Sequence, residues 1–156
     1  MWRASSKESR RTKLTDFMPG KTPRWRRDIV KVIKNSSFEF VPGTFVYLKC
    51  NEPPKGGKHF AVMQDELETT VVTEKKNAAR LRFKEKNKDE WKLIRLNVSI
   101  PFYCPGFLAT ASAAIADQGM NVLIVSTYSK DYLLVRADLT GKARKALLGA
   151  GFEEAK

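Results

Sequence analysis

Histidine occurs once in this 156-residue chain and cysteine twice, which leaves little material for nucleophilic or metal chemistry. His59 stands alone beside a Gly-rich stretch, with no Ser or Cys arrangement that would make it a catalytic base. Cys50 and Cys104 are too few for a secreted disulfide framework and lack the paired spacing of a zinc site. A reducing compartment is therefore expected, the cytoplasm first, with nucleus and mitochondrion left open by the basic N-terminus. Long apolar runs are also missing, since polar residues interrupt every stretch before the roughly 18 residues needed to cross a bilayer. No phosphate-cradling glycine loop is present, and Asn51-Glu52 with Asp65, Glu66 and Glu68 lacks the regular spacing of a calcium loop. These absences point to a protein that is not an enzyme, uses no cofactor or metal and does not enter a membrane.

What is present resembles an ordinary folded body with a basic tail. The apolar share of 42% and charged share of 29% are close to a soluble globular average. The length allows one domain plus a tail, because single cores usually form from roughly 100 to 200 residues. The net charge of +12 is unevenly spread: residues 1–34 carry 11 Lys and Arg against 3 acids, and the other 122 residues carry 18 against 14.

Residues 1–37 are expected to form a basic, flexible arm without a sustained apolar period. Arg24-Trp25-Arg26-Arg27 and Ser9-Arg10-Arg11 are its basic runs, with turn-forming Pro19-Gly20 and Pro23 between them. Four readings stay open: a solvated arm, a presequence that Glu8, Asp16 and Asp28 count against, a nucleic-acid contact with Trp2 or Trp25 stacking on bases, and a protein-docking peptide. For the last, Arg11-Thr12-Lys13-Leu14-Thr15-Asp16-Phe17-Met18 resembles a sliding-clamp-binding peptide, with Arg11 in place of its glutamine and Met18 in place of its second aromatic.

The body divides at a charged segment. Phe38–Val41 and Thr44–Cys50 flank Pro42-Gly43 as a turn entering a strand, and His59–Met63 pairs with Thr69–Thr73 as a hairpin, giving a first half over 38–73. Residues 74–90, dominated by Lys, Arg, Glu and Asn, read as a linker or frayed helix. In the second half, 91–152, Trp91–Ile100 alternates with Ile94, Leu96, Val98 and Ile100 on one face. Pro105 suits the first turn of a helix whose stripe is Phe107, Leu108, Ala111, Ala114 and Ile115, stopped by Gly119. Val122–Thr127 and Tyr132–Val135 are paired strands, and Thr140 is expected to cap a helix carrying Ala143, Ala146 and Leu147. The order predicts an α+β fold, an antiparallel sheet with helices on one face. A strand of the first half, Phe45 to Cys50, is expected to complete the sheet, so that the halves fold as one body.

Ile124-Val125-Ser126-Thr127-Tyr128-Ser129-Lys130-Asp131-Tyr132-Leu133-Leu134-Val135 resembles the aspartokinase-type subgroup of ACT domains that includes the CASTOR arginine sensors. The match extends to Gly106-Phe107-Leu108-Ala109, Ala116-Asp117-Gln118-Gly119 and Ala146–Phe152, and Phe60–Glu68 with Val71-Val72 looks like a reduced first ACT-like half. The resemblance implies a ferredoxin-like ACT fold, one tandem unit with a degenerate first half and a fuller second. It also nominates ligand-binding residues: Pro105, Gly106, Phe107 and Leu108 at the entrance of the helix, and Ser126, Thr127 and Asp131 at the strand ends and turn. A glycine lets a ligand approach backbone N–H groups at a helix N-terminus, and an aspartate accepts hydrogen bonds from a cationic group. Tyr103-Cys104-Pro105 departs from the family pattern at the pocket mouth and could narrow it.

Two functions are expected to compete. One is an amino-acid-binding regulatory module whose ligand changes association with a second copy or a partner protein. The other is a non-catalytic interaction protein that dimerises through the ACT body and contacts protein or nucleic acid through the basic arm.

Overall fold

The computed structural model describes residues 24–98 and 104–155, with side chains described from residue 28 onward. The clamp-like peptide, the runs before Arg24, and Ile100 and Tyr103 lie outside them. The order is α1 (Arg24–Lys34), β1 (Ser37–Phe40), β2 (Phe45–Cys50), β3 (Ala61–Gln64), β4 (Thr69–Glu74), α2 (Lys75–Ala78), β5 (Glu85–Lys86), β6 (Trp91–Asn97), α3 (Phe107–Ala116), β7 (Leu123–Ser126), β8 (Asp131–Arg136), α4 (Thr140–Gly149) and β9 (Glu153–Glu154).

β6 is the organising strand. Its alternation sends Ile94 and Leu96 to one face, where Ile29 and Ile33 of α1, Phe107, Ala111 and Ile115 of α3 and Ala143 and Leu147 of α4 complete a buried core with Phe38, Leu133 and Val135. Helices on one face of a mainly antiparallel sheet give the α+β, ferredoxin-like ACT fold. Trp91 and Leu93 point the other way, into a second buried cluster with Phe45, Val72 and Leu134. Along its edges β6 pairs antiparallel with β8 over Trp91–Leu96 and with β1 over Ile94–Asn97.

Beyond β1, the strands of the first half meet β6 at a single pair, Phe45 of β2 opposite Trp91. β2 turns away after Gly43, whose φ of 97° places it in the left-handed region that glycine adopts without a Cβ penalty. β2 then pairs with β4, and β4 with β3. Phe60, just before β3, closes over the second face of the sheet, its ring 4.8 Å from Tyr132 and 6.1 Å from Phe45.

Four expectations are corrected. The arm expected over 1–37 is helical over Arg24–Lys34, with Ile29 and Ile33 buried. Two apolar residues one helical turn apart suffice, because the basic residues between them need only stay wet. Sheet completion falls to Ser37–Phe40 rather than Phe45–Cys50, and a short final strand exists after all: β9 lies parallel to β1 through Ser37–Glu153 and Phe38–Glu154. Arg144 fastens β9, donating from Nε to the Glu154 carboxylate at 2.9 Å while its guanidinium lies 4.7 Å from the Phe40 ring. Residues 74–90, expected as a linker or frayed helix, hold the short helix α2 and, beyond that expectation, the strand β5, and Ala78 is buried in a cluster with Leu48 and Val71. Finally, Thr140 does not cap α4: its hydroxyl donates to the Ala137 carbonyl at 2.7 Å.

If α1 is part of the core, Ile33→Ala lowers unfolding free energy by roughly 2–5 kcal/mol. Urea denaturation checks this, and an unchanged midpoint would return the segment to the solvent.

Candidate functional site

α3 starts one residue after Gly106, which sits at φ 87° and ψ −6°. The expectation that Pro105 opens the helix is therefore shifted: the helix begins at Phe107, and Pro105 is exposed ahead of it. Gly106 offers no capping side chain, and its carbonyl receives the N–H and the hydroxyl of Thr110 at 2.9 and 2.8 Å. The first-turn N–H groups of an α-helix have no acceptor within it, and the backbone partial charge there is positive; here the Phe107 N–H donates to the Cys104 carbonyl at 3.2 Å, so the donors a ligand could meet are those after it.

The facing wall comes from the β7–β8 hairpin. Ser126 and Asp131 are directly opposed, and the Ser126 hydroxyl donates to Asp131 Oδ1 at 2.6 Å. Thr127 closes the turn by accepting at its Oγ1 from the Lys130 N–H at 3.2 Å and donating its N–H to the Lys130 carbonyl at 2.8 Å. The β6–β8 register puts Asp131 opposite Leu96, so the hairpin and the α3 entrance meet at the same end of β6.

Between these walls lies an open cleft of about 670 Å³. Of the seven residues nominated from the sequence, Gly106, Phe107, Leu108, Ser126, Thr127 and Asp131 all line it, and Pro105 does not. Leu96, Val98 and Ala109 add apolar surface. Cys104, suspected of narrowing the mouth, lines the cleft half-buried, and burial pushes its thiol pKa up, so it is held as a neutral thiol.

Lys130, overlooked in the sequence as a turn residue, also lines the cleft. Its position is set by a polar chain across the sheet: Lys130 Nζ donates to Asn97 Oδ1 at 3.1 Å, Asn97 Nδ2 to Glu39 Oε1 at 3.0 Å, and Arg95 Nε to the same oxygen at 2.8 Å. The hydrogen bonds from Arg95 and then Asn97 lower the Glu39 carboxyl from 4.5 to about 2. The signal available in the sequence was strand alternation, which sets Arg95 and Asn97 together on the face opposite Ile94 and Leu96.

No described group of three His, Cys, Asp or Glu side chains could hold a metal ion. The cleft sets helix N–H groups on one wall against a carboxylate and a neighbouring lysine of the hairpin on the other, with apolar surface between.

Two variants test this local physics. Gly106→Ala introduces a Cβ at positive φ and costs about 1–2 kcal/mol of stability in urea titration, whereas Gly106→Asn costs less. Glu39 takes up its proton in the unfolded chain near pH 4.5 but in the folded chain only near 2. Its contribution is thus complete above about pH 4.5 and lost as pH falls toward 2. Glu39→Gln should flatten the acid limb of stability by at most about 1 kcal/mol, because the side chain is one-third exposed and solvent screens it. Urea midpoints at pH 6, 4 and 2.5 would show the difference, and parallel acid limbs would contradict it.

Comparisons with known proteins agree with this architecture. A Vibrio cholerae protein of unknown function, described as a possible transport protein, superposes with a TM-score of 0.72 at 19% identity over 81% of this chain and 98% of its own. An Agrobacterium tumefaciens protein gives 0.65 at 19% identity, covering 77% and 92%. The ligand-free regulatory subunit of aspartate kinase from Thermus thermophilus gives 0.56 at 13% identity, covering 72% and 95%. No curated protein matches the chain. The family model for the ACT domain matches residues 87–148, the stretch that holds β6, α3, β7, β8 and most of α4, in agreement with the ferredoxin-like ACT fold.

Proposed function

We propose that the chain is a non-catalytic regulatory module of the aspartokinase-type, CASTOR-like ACT subgroup, which binds an amino acid in the cleft between the α3 entrance and the β7–β8 hairpin. One observation carries the reading: the uncapped start of α3, Lys130 and Asp131 converge on a single cleft. A zwitterion needs both signs of partner a few ångströms apart. Its carboxylate suits the first-turn N–H groups of α3 and the Lys130 ammonium. Its ammonium suits Asp131, whose Oδ1 is taken by Ser126 while Oδ2 has no described partner. Leu96, Val98, Phe107 and Leu108 supply apolar surface for a side chain. The fold likeness to an aspartate kinase regulatory subunit supports the same class.

Regulation in this reading runs through β7. Among the described residues β7 pairs only with β8, leaving its other edge open, and Ile124 is 43% exposed. A second copy or a partner protein adding to that edge would adjoin one wall of the cleft. A ligand with different affinity for the free and associated states then shifts the equilibrium between them.

Screening the twenty amino acids by thermal shift is the direct test. A ligand at 100 times its Kd stabilises the native state by about 2.7 kcal/mol. Asp131→Ala should abolish the shift, Ser126→Ala should reduce it, and light scattering should change with the ligand. If no amino acid moves the melting temperature, the ligand-binding reading fails and the interaction-protein reading takes its place.

A further inference from the structure

Positions 80, 82, 84, 86 and 88 are all basic: Arg80, Arg82, Lys84, Lys86 and Lys88, with Glu85 the one acid among residues 80–88. Of the 18 cations and 14 acids in residues 35–156, the remainder outside this stretch is balanced at 13 of each. The whole positive excess of the body sits on nine consecutive residues.

The fold displays this row. The segment leaves the turn after α2 at Arg80 and from Lys84 runs along the edge of β2 away from β4, with Lys84 N–H donating to the Lys49 carbonyl at 2.7 Å, Asn87 N–H to the Tyr47 carbonyl at 2.9 Å, and β5 paired to Leu48 and Lys49. Leu81 anchors it against Val46, Leu48 and Cys50. All five cations are exposed, and none forms an ion pair with a described residue. Of the nearby acids, Glu68 pairs with Lys49, Glu74 with Lys76 and Glu90 with Lys75, while Glu52 is the one carboxylate lining a cleft beside the row, where the cations outnumber it. Arg80, Arg82 and Lys84 line an open cleft of about 710 Å³, to which Lys55 adds a fourth cation from the Pro53-Pro54 loop. Phe83 lines the same cleft with 42% of its surface exposed. Lys86 and Lys88 continue the row into the next concavity.

We infer that this row is a track for a single-stranded nucleic acid, with phosphates along the cations and a base stacked on Phe83 in the cleft. Like charges at two-residue spacing repel one another, and a linear polyanion relieves that repulsion with release of its counterions. An exposed aromatic amid the cations provides what a purely charged partner does not need, a face for an unpaired base. The track shares no lining residue with the amino-acid cleft and does not depend on it.

The test uses the full chain and fluorescence anisotropy with oligo-dT and oligo-U of 20 nucleotides over a salt series. Arg80→Gln/Arg82→Gln/Lys84→Gln should weaken binding at least about tenfold and reduce the salt slope by about 2, from roughly 0.7 per lost phosphate contact. Phe83→Ala should weaken it about fivefold or more and Phe83→Tyr should restore it, with melting temperatures unchanged in all. Arg24→Gln/Arg26→Gln/Arg27→Gln reports the contribution of the N-terminal cations, and dependence on Phe83 should survive in that background. Wild-type affinity in the 80/82/84 variant would overturn the inference. So would equal affinity for poly-glutamate or for a 20-base-pair duplex with no effect of Phe83→Ala.

Discussion

The pairing register of β6 is the constraint on which the structure depends. Side chains alternate along a strand, so a slip of one residue against β8 or β1 would exchange Ile94 and Leu96 for Arg95 and Asn97 on the helix face. The register is held from both sides. Apolar residues face the helices, and on the opposite face Glu39 collects Arg95 and Asn97, a set that only forms when Glu39 lies opposite Arg95. The polar cluster matters less as stabilisation, being partly exposed, than as a specification of which residues meet. The same register sets Asp131 beside Leu96 and the α3 entrance at the end of β6, so the core pattern and the cleft are consequences of one alignment.

Beyond the polar cluster the second face of the sheet is dry, and this explains the β2–β4 strands of the first half. Trp91, Leu93 and Leu134 would present a broad apolar surface if only helices on the other side were available. The β2–β4 strands and Phe60 cover it, although β2 meets β6 at a single residue pair. Backbone pairing therefore contributes little to the attachment; aromatic contacts of Phe45, Phe60, Tyr47 and Trp91 provide it. Such rings bury large areas and favour edge-to-face packing, so a narrow covalent connection can still hold two parts of a body.

The second half was the more legible part of the chain because its elements announce themselves locally. β6 alternates, α3 has an apolar stripe ending in Gly119, and β7 and β8 flank a short polar turn. Gly119 does adopt a positive φ, 70°. The missed elements share a different origin. α1 and β9 are highly charged, and each is fixed by residues far away in sequence: Ile33 by the sheet core, Glu153 and Glu154 by pairing with β1 and by Arg144. Local pattern carries no trace of a distant partner. Lys130 was missed for a related reason, since only the β1–β6 register reveals the Asn97 and Glu39 groups that place it. The six cleft residues were nominated together by the resemblance to ACT domains, and they meet because the entrance of α3 and the β7–β8 turn lie at one edge of the sheet.

The Ser126–Asp131 contact bears directly on how a ligand could enter the cleft. A carboxylate already holding one hydroxyl donor is oriented before any ligand arrives, which reduces the ordering that binding would otherwise require. It also limits what the carboxylate can accept: with Oδ1 engaged, a ligand ammonium is steered to Oδ2. Lys130 is similarly held by a neutral amide, Asn97, at the edge of the cleft. The two adjacent residues Lys130 and Asp131 thus carry opposite charges that are each held by a neutral partner, Asn97 and Ser126, rather than by one another. Mutual pairing would have cancelled the dipolar character of the cleft; neutral partners preserve it, and that is the feature a zwitterion would recognise.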